Sequence, residues 1–166
     1  MMDKIRTAFM RFLEIIVGIN LIALLIVVVL GVVYRKTGHS LVWYDEVASV
    51  LLAWLTYYGS ALAALKRAHI GFSGLVEQFS APWRIFVLLI TEVIVISFFV
   101  VLAWMGFVVL DVLEGDTLVS LPQVSVQITQ SVIPIGACLF ILAQLLSLPD
   151  MWRRVKAGDA LSEAHA

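Results

Sequence analysis

Three acids in this sequence, Glu14, Glu46 and Glu92, border or interrupt long apolar runs. Ionisable groups at membrane depth are costly, and they mark ion pairs, proton relays or substrate paths. Bases lie within reach of the same depth. The run opened by Asp45 and Glu46 closes on Lys66, Arg67 and His69. Glu92 is eight residues past Arg84, which is about 12 Å along a helix at 1.5 Å per residue. The bases expected to meet it are Lys66 or Arg67, snorkelling from the end of the preceding run. The role this assigns to Glu92 is a structural ion pair or a hydrogen-bonded acid rather than a proton relay. Asp45 reads as a helix cap, because the helix dipole favours acid at the N-terminus. For Glu46 two readings stand side by side, a cap or a salt bridge to a neighbouring helix or subunit.

Other chemistries lack their residues. A membrane haem would need histidines inside the spans, whereas His39, His69 and His165 fall at or beyond the ends of the apolar runs. The single cysteine, Cys138, excludes an intrachain disulfide and a paired-cysteine metal site, and reads as a small buried hydrophobe. No Ser/His/Asp set, phosphate loop or paired metal-binding carboxylates can be assembled. Nucleic acid is excluded for want of a basic stripe away from the segment ends. The chain is therefore expected not to be an enzyme and to carry no cofactor or metal of its own.

The elements that hold these groups are membrane spans. The chain is 62% hydrophobic and only 14% charged, with a mean hydropathy of +1.04. Soluble domains carry about a quarter charged residues. A hydrocarbon core of about 30 Å needs roughly 20 apolar residues in a helix. Four segments satisfy this, at about 12–34, 45–66, 84–111 and 124–148. The expected fold is all-α, a single membrane domain over 1–166. The first segment reads as a retained span rather than a cleaved leader, since its apolar stretch is long and no small-x-small site follows it. Nine of the Lys and Arg residues flank the same side of the four spans, and only Arg35 and Lys36 flank the other. The positive-inside rule then places both termini in the cytoplasm. Trp43 and Trp104 fall near the outer boundary, Trp83 and Trp152 near the inner one, as an aromatic belt requires.

Between the second and third spans, Phe72, Leu75, Val76, Phe79 and Trp83 recur at helical spacing. This predicts a short amphipathic helix lying in the membrane plane, with Ser73 as its N-cap. At 100° per residue, Asp45, Glu46, Ser49, Ala53, Thr56, Ser60, Ala63, Ala64 and Arg67 share one arc of the second span, with leucines and aromatics opposite. Helices in lipid associate through small residues and hydrogen bonds, so that arc should face protein and the leucine arc lipid. In the fourth span Gln123, Gln127, Gln130, Pro134, Ala137, Ile141 and Gln144 step at four and three residues, a seam for another helix. Pro134 should kink it, leaving the Gln130 carbonyl to be satisfied by Thr129, Ser131 or a glutamine. Two functions compete: a self-sufficient four-helix, proton-coupled transporter using Glu14 or Glu92, and an accessory membrane subunit. The scarcity of polar groups at mid-membrane favours the second.

The stretch WYDEVASVLLAWLTYYGSALAALKRAHIGFSGLVEQF resembles the centre of the small integral-membrane subunit, the Q component, of the tripartite ATP-independent periplasmic (TRAP) transporter family. The matching positions are Trp43, Glu46, Trp54, Gly59, Arg67, His69 and Ile70. The later TLVSLPQVSVQITQSVIPIG resembles the family's approach to its fourth span, with Pro134 and Gly136. Ser73 departs from the acid often found there. The resemblance implies a large membrane subunit as partner, holding the sodium and substrate sites and moving as an elevator. It also implies a periplasmic substrate-binding protein that delivers an organic acid, and sodium-driven uptake across a bacterial inner membrane. Trp43, Glu46, Ser49, Ala53, Ser60, Arg67, Glu92, Gln127, Gln130 and Pro134 become candidates for helix packing or the subunit interface. Asp111, Glu114 and Asp116, in an acidic connection without a base, become candidates for docking the binding protein. Membrane lipids are the remaining expected partner.

Overall fold

A computed structural model describes residues 2–66 and 81–157. The described chain is helical: α1 (Met2–Lys36), α2 (Tyr44–Lys66), α3 (Ala81–Val112), a short α4 (Val126–Gln130) and α5 (Val132–Ala157). Among the described residues, four segments are long and apolar enough to cross a membrane: Lys4–Lys36, Tyr44–Lys66, Ile85–Val112, and Val126–Leu148, which joins α4 to α5. Most of the expected in-plane helix, Phe72 to Phe79 with Ser73, lies outside the described residues, as do Arg67 and His69 at the end of the second span; Trp83 falls within α3.

Local chemistry explains where the helices begin and end. α1 stops on Gly38, whose φ of 82° is open to glycine at little cost. The His39 amide then donates to the Tyr34 carbonyl and the Gly38 amide to the Arg35 carbonyl, a double C-terminal cap. α2 begins when the Trp43 carbonyl accepts from the Val47 amide at 3.1 Å. Asp45 and Glu46 then sit in its first turn. Ser125 caps α4 through its hydroxyl, which accepts from the Gln127 amide. The proline at 134 has no N–H for the Gln130 carbonyl and crowds it with its ring. The ladder accordingly breaks at Ser131, and the expected kink takes the form of an interruption between α4 and α5. The Thr129 and Ser131 hydroxyls donate to the carbonyls of Val126 (2.9 Å) and Ile128 (2.7 Å), not to that of Gln130.

The long helices stand in a row, not a closed bundle. α1 packs on α2, α2 on α5, and α3 on α5. α2 and α5 run parallel at the centre, with α1 and α3 as edges. Close approach uses glycine: a methyl placed on Gly106 of α3 would lie 2.9 Å from Cδ of Pro134, and one on Gly136 of α5 2.7 Å from Cβ of Tyr57. Hydrophobicity does not drive helices together in lipid, so such contacts and hydrogen bonds carry the association. The tightest core lies at the end of the row where α1 begins. There Leu13, Ala61, Ala64, Leu65, Phe140 and Ala143 are buried together. Phe99 of α3 stacks on Phe140 with ring centroids 3.6 Å apart.

Candidate functional site

At the other end of the row, the connection from α3 to α4 folds back on itself. Gly115, at φ 89°, turns the chain. Thr117 then pairs antiparallel with Ser125, and the Leu118 amide donates to the Val124 carbonyl at 3.0 Å. Glu46 holds this hairpin to α2. Its Oε1 accepts from the Val119 amide at 3.0 Å, and its Oε2 accepts from the Ser120 amide at 2.8 Å and from the Ser120 hydroxyl. Three donors converging on one carboxylate make a charge-assisted clasp. Neither expectation for Glu46 describes this: the carboxylate is committed to backbone amides 73 and 74 residues away, rather than to its own helix end or to a base. Backbone amides leave no trace in residue type, so sequence reasoning had no signal for this partner.

A second tie lies about two turns further along α2. Trp54 Nε1 donates to the Thr129 carbonyl at 2.8 Å, bracing α4 against α2. Between clasp and brace is an apolar groove of about 210 Å³, walled by residues including Val50, Leu51 and Trp54 of α2, Leu118 and Leu121 of the hairpin, and Ile128 of α4.

The glutamine seam of the fourth span faces α3. Gln127 Nε2 donates to the Leu110 carbonyl at 2.8 Å. Pro134 is buried against Gly106. Gln130 is half-buried on the same side. Gln144 Nε2 donates to Glu92 Oε2 at 2.8 Å. Glu92 is 9% exposed, and its Oε1 has no hydrogen-bond partner. The expected pairing of Glu92 with Lys66 is thereby corrected. Lys66 Nζ instead meets Glu14 Oε1 at 2.6 Å, because the antiparallel α1 brings an acid to the end of α2. Arg6 donates to the Leu65 carbonyl nearby. Asn20, buried in α1, has neither amide atom bonded.

The small, polar arc of α2 is where the chain departs most from expectation. Asp45, Ser49, Ala53 and Thr56 are exposed, and Ser60 is half-buried. The stretch from Asp45 to Thr56 on this arc is open apart from Glu46, while Ala64 at its far end is buried in the core; part of the arc expected to face lipid, including Trp54 and Leu65, contacts α5, α4 or the core. Hydroxyls along the open stripe are satisfied within their own helix: Ser49 donates to the Glu46 carbonyl, Thr56 to that of Leu52 and Ser60 to that of Tyr57. The rest of the open surface is large and apolar, as on α1 and α3. Asp111, Glu114 and Asp116 are exposed beside the hairpin. Trp43 is half-buried at the head of α2. Among the described residues, no three His, Cys, Asp or Glu side chains gather where a metal could be held.

Four apolar helices in an open row, with a polar hairpin clasped at one end and no reactive cluster among the described residues, define a small multi-pass membrane protein. Residues 24–154 match the family of tripartite ATP-independent periplasmic transporters, DctQ component, and the chain belongs to that family. It is a TRAP transporter small membrane subunit. Comparison with curated proteins gives no match.

Proposed function

We propose that this chain is the scaffolding subunit of a sodium-driven TRAP secondary transporter for organic acids in a bacterial inner membrane. It packs against a large, elevator-type membrane subunit, keeps both termini in the cytoplasm, and helps a periplasmic substrate-binding protein dock at the hairpin end, where Asp111, Glu114 and Asp116 are exposed. Sodium coupling resides in the large subunit. The family and its resemblances support the coupling and the substrate class.

The observation that carries the scaffolding role is the open stripe of α2. Small residues exposed to lipid gain nothing, while the same residues admit a second helix at close range. Asp45, Ser49, Ala53 and Thr56 are exposed in this chain by itself. Glu92 does not favour the autonomous transporter, because it is enclosed between α3 and α5 with Gln144; nor does Glu14, which is paired with Lys66.

The test is a photo-crosslinking residue at Ala53 in cells that make all three components, followed by reconstitution. The expected result is a crosslink to the large subunit, with uptake of an organic acid only when a sodium gradient and all three proteins are present. Uptake by this chain alone would overturn the proposal, as would a crosslink at Ala53 to lipid only.

A further inference from the structure

The groove between α2 and the hairpin lies in the outer reach of the second and fourth spans. Its α2 residues, Val47 to Trp54, fall three to ten residues after Tyr44, about 5–15 Å along the helix at 1.5 Å per residue. Those residues lie within a segment apolar enough to cross a membrane, so the medium around the opening is hydrocarbon. The wall presents no polar surface. The three groups that would do so are already used: Trp54 Nε1 and the Thr129 carbonyl bond each other, and the Thr129 hydroxyl donates to the Val126 carbonyl. An occupant that needs a hydrogen bond gains nothing there.

Two further facts identify the occupant. At 100° per residue, the groove residues Val47, Leu51 and Trp54 lie on the side of α2 opposite to Asp45, Ser49 and Thr56, with Val50 at the edge between the two sides. A helix seated on the open stripe therefore does not reach the part of the groove walled by Val47, Leu51 and Trp54. In the other direction the groove is continuous with a lipid-compatible surface. Ile128, which walls it, heads an exposed stripe that runs down the last span through Ile135, Cys138, Leu142 and Leu145. A flexible hydrocarbon lying along that stripe enters the groove at Ile128.

We propose that the groove is a binding site for one acyl chain of a membrane phospholipid. Glu46 and Trp54 build the site: the clasp holds Leu118 and Leu121 over α2, and the brace fixes the wall at α4. The bound chain completes the packing between hairpin and helix that protein atoms leave open. The inference rests on the membrane-spanning reading but not on the subunit contact at Ala53, so either can fail without the other.

The experiment places a photo-crosslinking residue at Leu51, and separately at Ile128, in the full chain co-expressed with its transporter partners, with Val101, exposed on α3 and away from that stripe, as an ordinary lipid-facing control. The complex is exchanged extensively into detergent before irradiation and the chain is weighed by mass spectrometry. The expected result is a phospholipid adduct at Leu51 and Ile128 severalfold above that at Val101. Leu121→Trp, which fills the groove, should reduce the Ile128 adduct to the control level. An adduct to the large subunit or to a second copy of this chain would overturn the proposal. So would a lipid adduct no higher than at Val101, or one that persists in Leu121→Trp.

Discussion

Replacing Gln144 with leucine removes the amide that reaches Glu92 and leaves both carboxylate oxygens enclosed between α3 and α5 without a partner. The lost bond spans 2.8 Å, and the acid is 9% exposed. Hydrogen bonds between membrane helices average about 0.6 kcal/mol, with a maximum near 1.7. Orphaning a buried acceptor adds roughly 1–3 kcal/mol. The expected loss for Gln144→Leu is therefore about 2 kcal/mol, and for Glu92→Leu, which strands only a neutral amide, about 1 kcal/mol. Removing both partners together restores an apolar contact, so Glu92→Leu/Gln144→Leu should lie within about 1 kcal/mol of the parent. The coupling between the two positions is then about 3 kcal/mol, and at least about 2 kcal/mol. Glu92→Gln keeps an acceptor for Gln144 and should behave like the parent. Thermal unfolding of the four variants in detergent reads this directly, at roughly 2–4 °C per kcal/mol for a chain of this size. A coupling below about 0.5 kcal/mol, the scatter of independent sites, would refute the view that these two residues form one buried unit.

The remaining predictions concern the clasp, the close contacts and the topology. Glu46→Ala releases the Val119 and Ser120 amides; hydrogen–deuterium exchange should rise across 116–121 while the α2–α5 contact stays protected, and unchanged exchange would remove the clasp from the account. Gly136→Val forces α5 away from Tyr57 and should cost about 1–3 kcal/mol. Gly18→Val, with nothing within 4 Å of the added carbon, should leave the melting temperature close to that of the parent. In a Cys138→Ser background, Val119→Cys should react with a membrane-impermeant thiol reagent in cells with the outer membrane opened. Ala8→Cys should react only after the inner membrane is breached, and the reverse pattern would invert the proposed orientation.

Four spans were legible because hydropathy over twenty residues is a property of composition, and the head of α2 was legible because acids mark it. The seam from Gln127 to Gln144 was legible as a contact face, yet periodicity says that a face is covered without saying by what. It meets α3, and Gln144 belongs to it. Glu92 was assigned to Lys66 or Arg67 by reach alone; for Lys66 that reasoning ignored Glu14, which approaches the same lysine from the antiparallel α1. The polar arc of α2 was singled out as a contact face, but its pattern is identical for a contact within one chain and a contact between chains. The structure leaves Asp45, Ser49, Ala53 and Thr56 of that arc exposed. The amides that hold Glu46 were beyond any pattern of side chains.

The row order α1, α2, α5, α3 has a consequence for how the chain is made. α1 and α2 are neighbours in sequence and can pair as soon as both are in the membrane. α3 packs on α5, which is synthesised after it, so α3 enters the bilayer with no partner waiting. Its window has a mean hydropathy of 3.0, against 1.5 for α2. An edge helix that must wait alone in lipid needs that surplus, most of all when it carries an acid. The central contact of the finished protein is thus among the last to form, and arrival of the fourth span turns a hairpin and a solitary helix into one body.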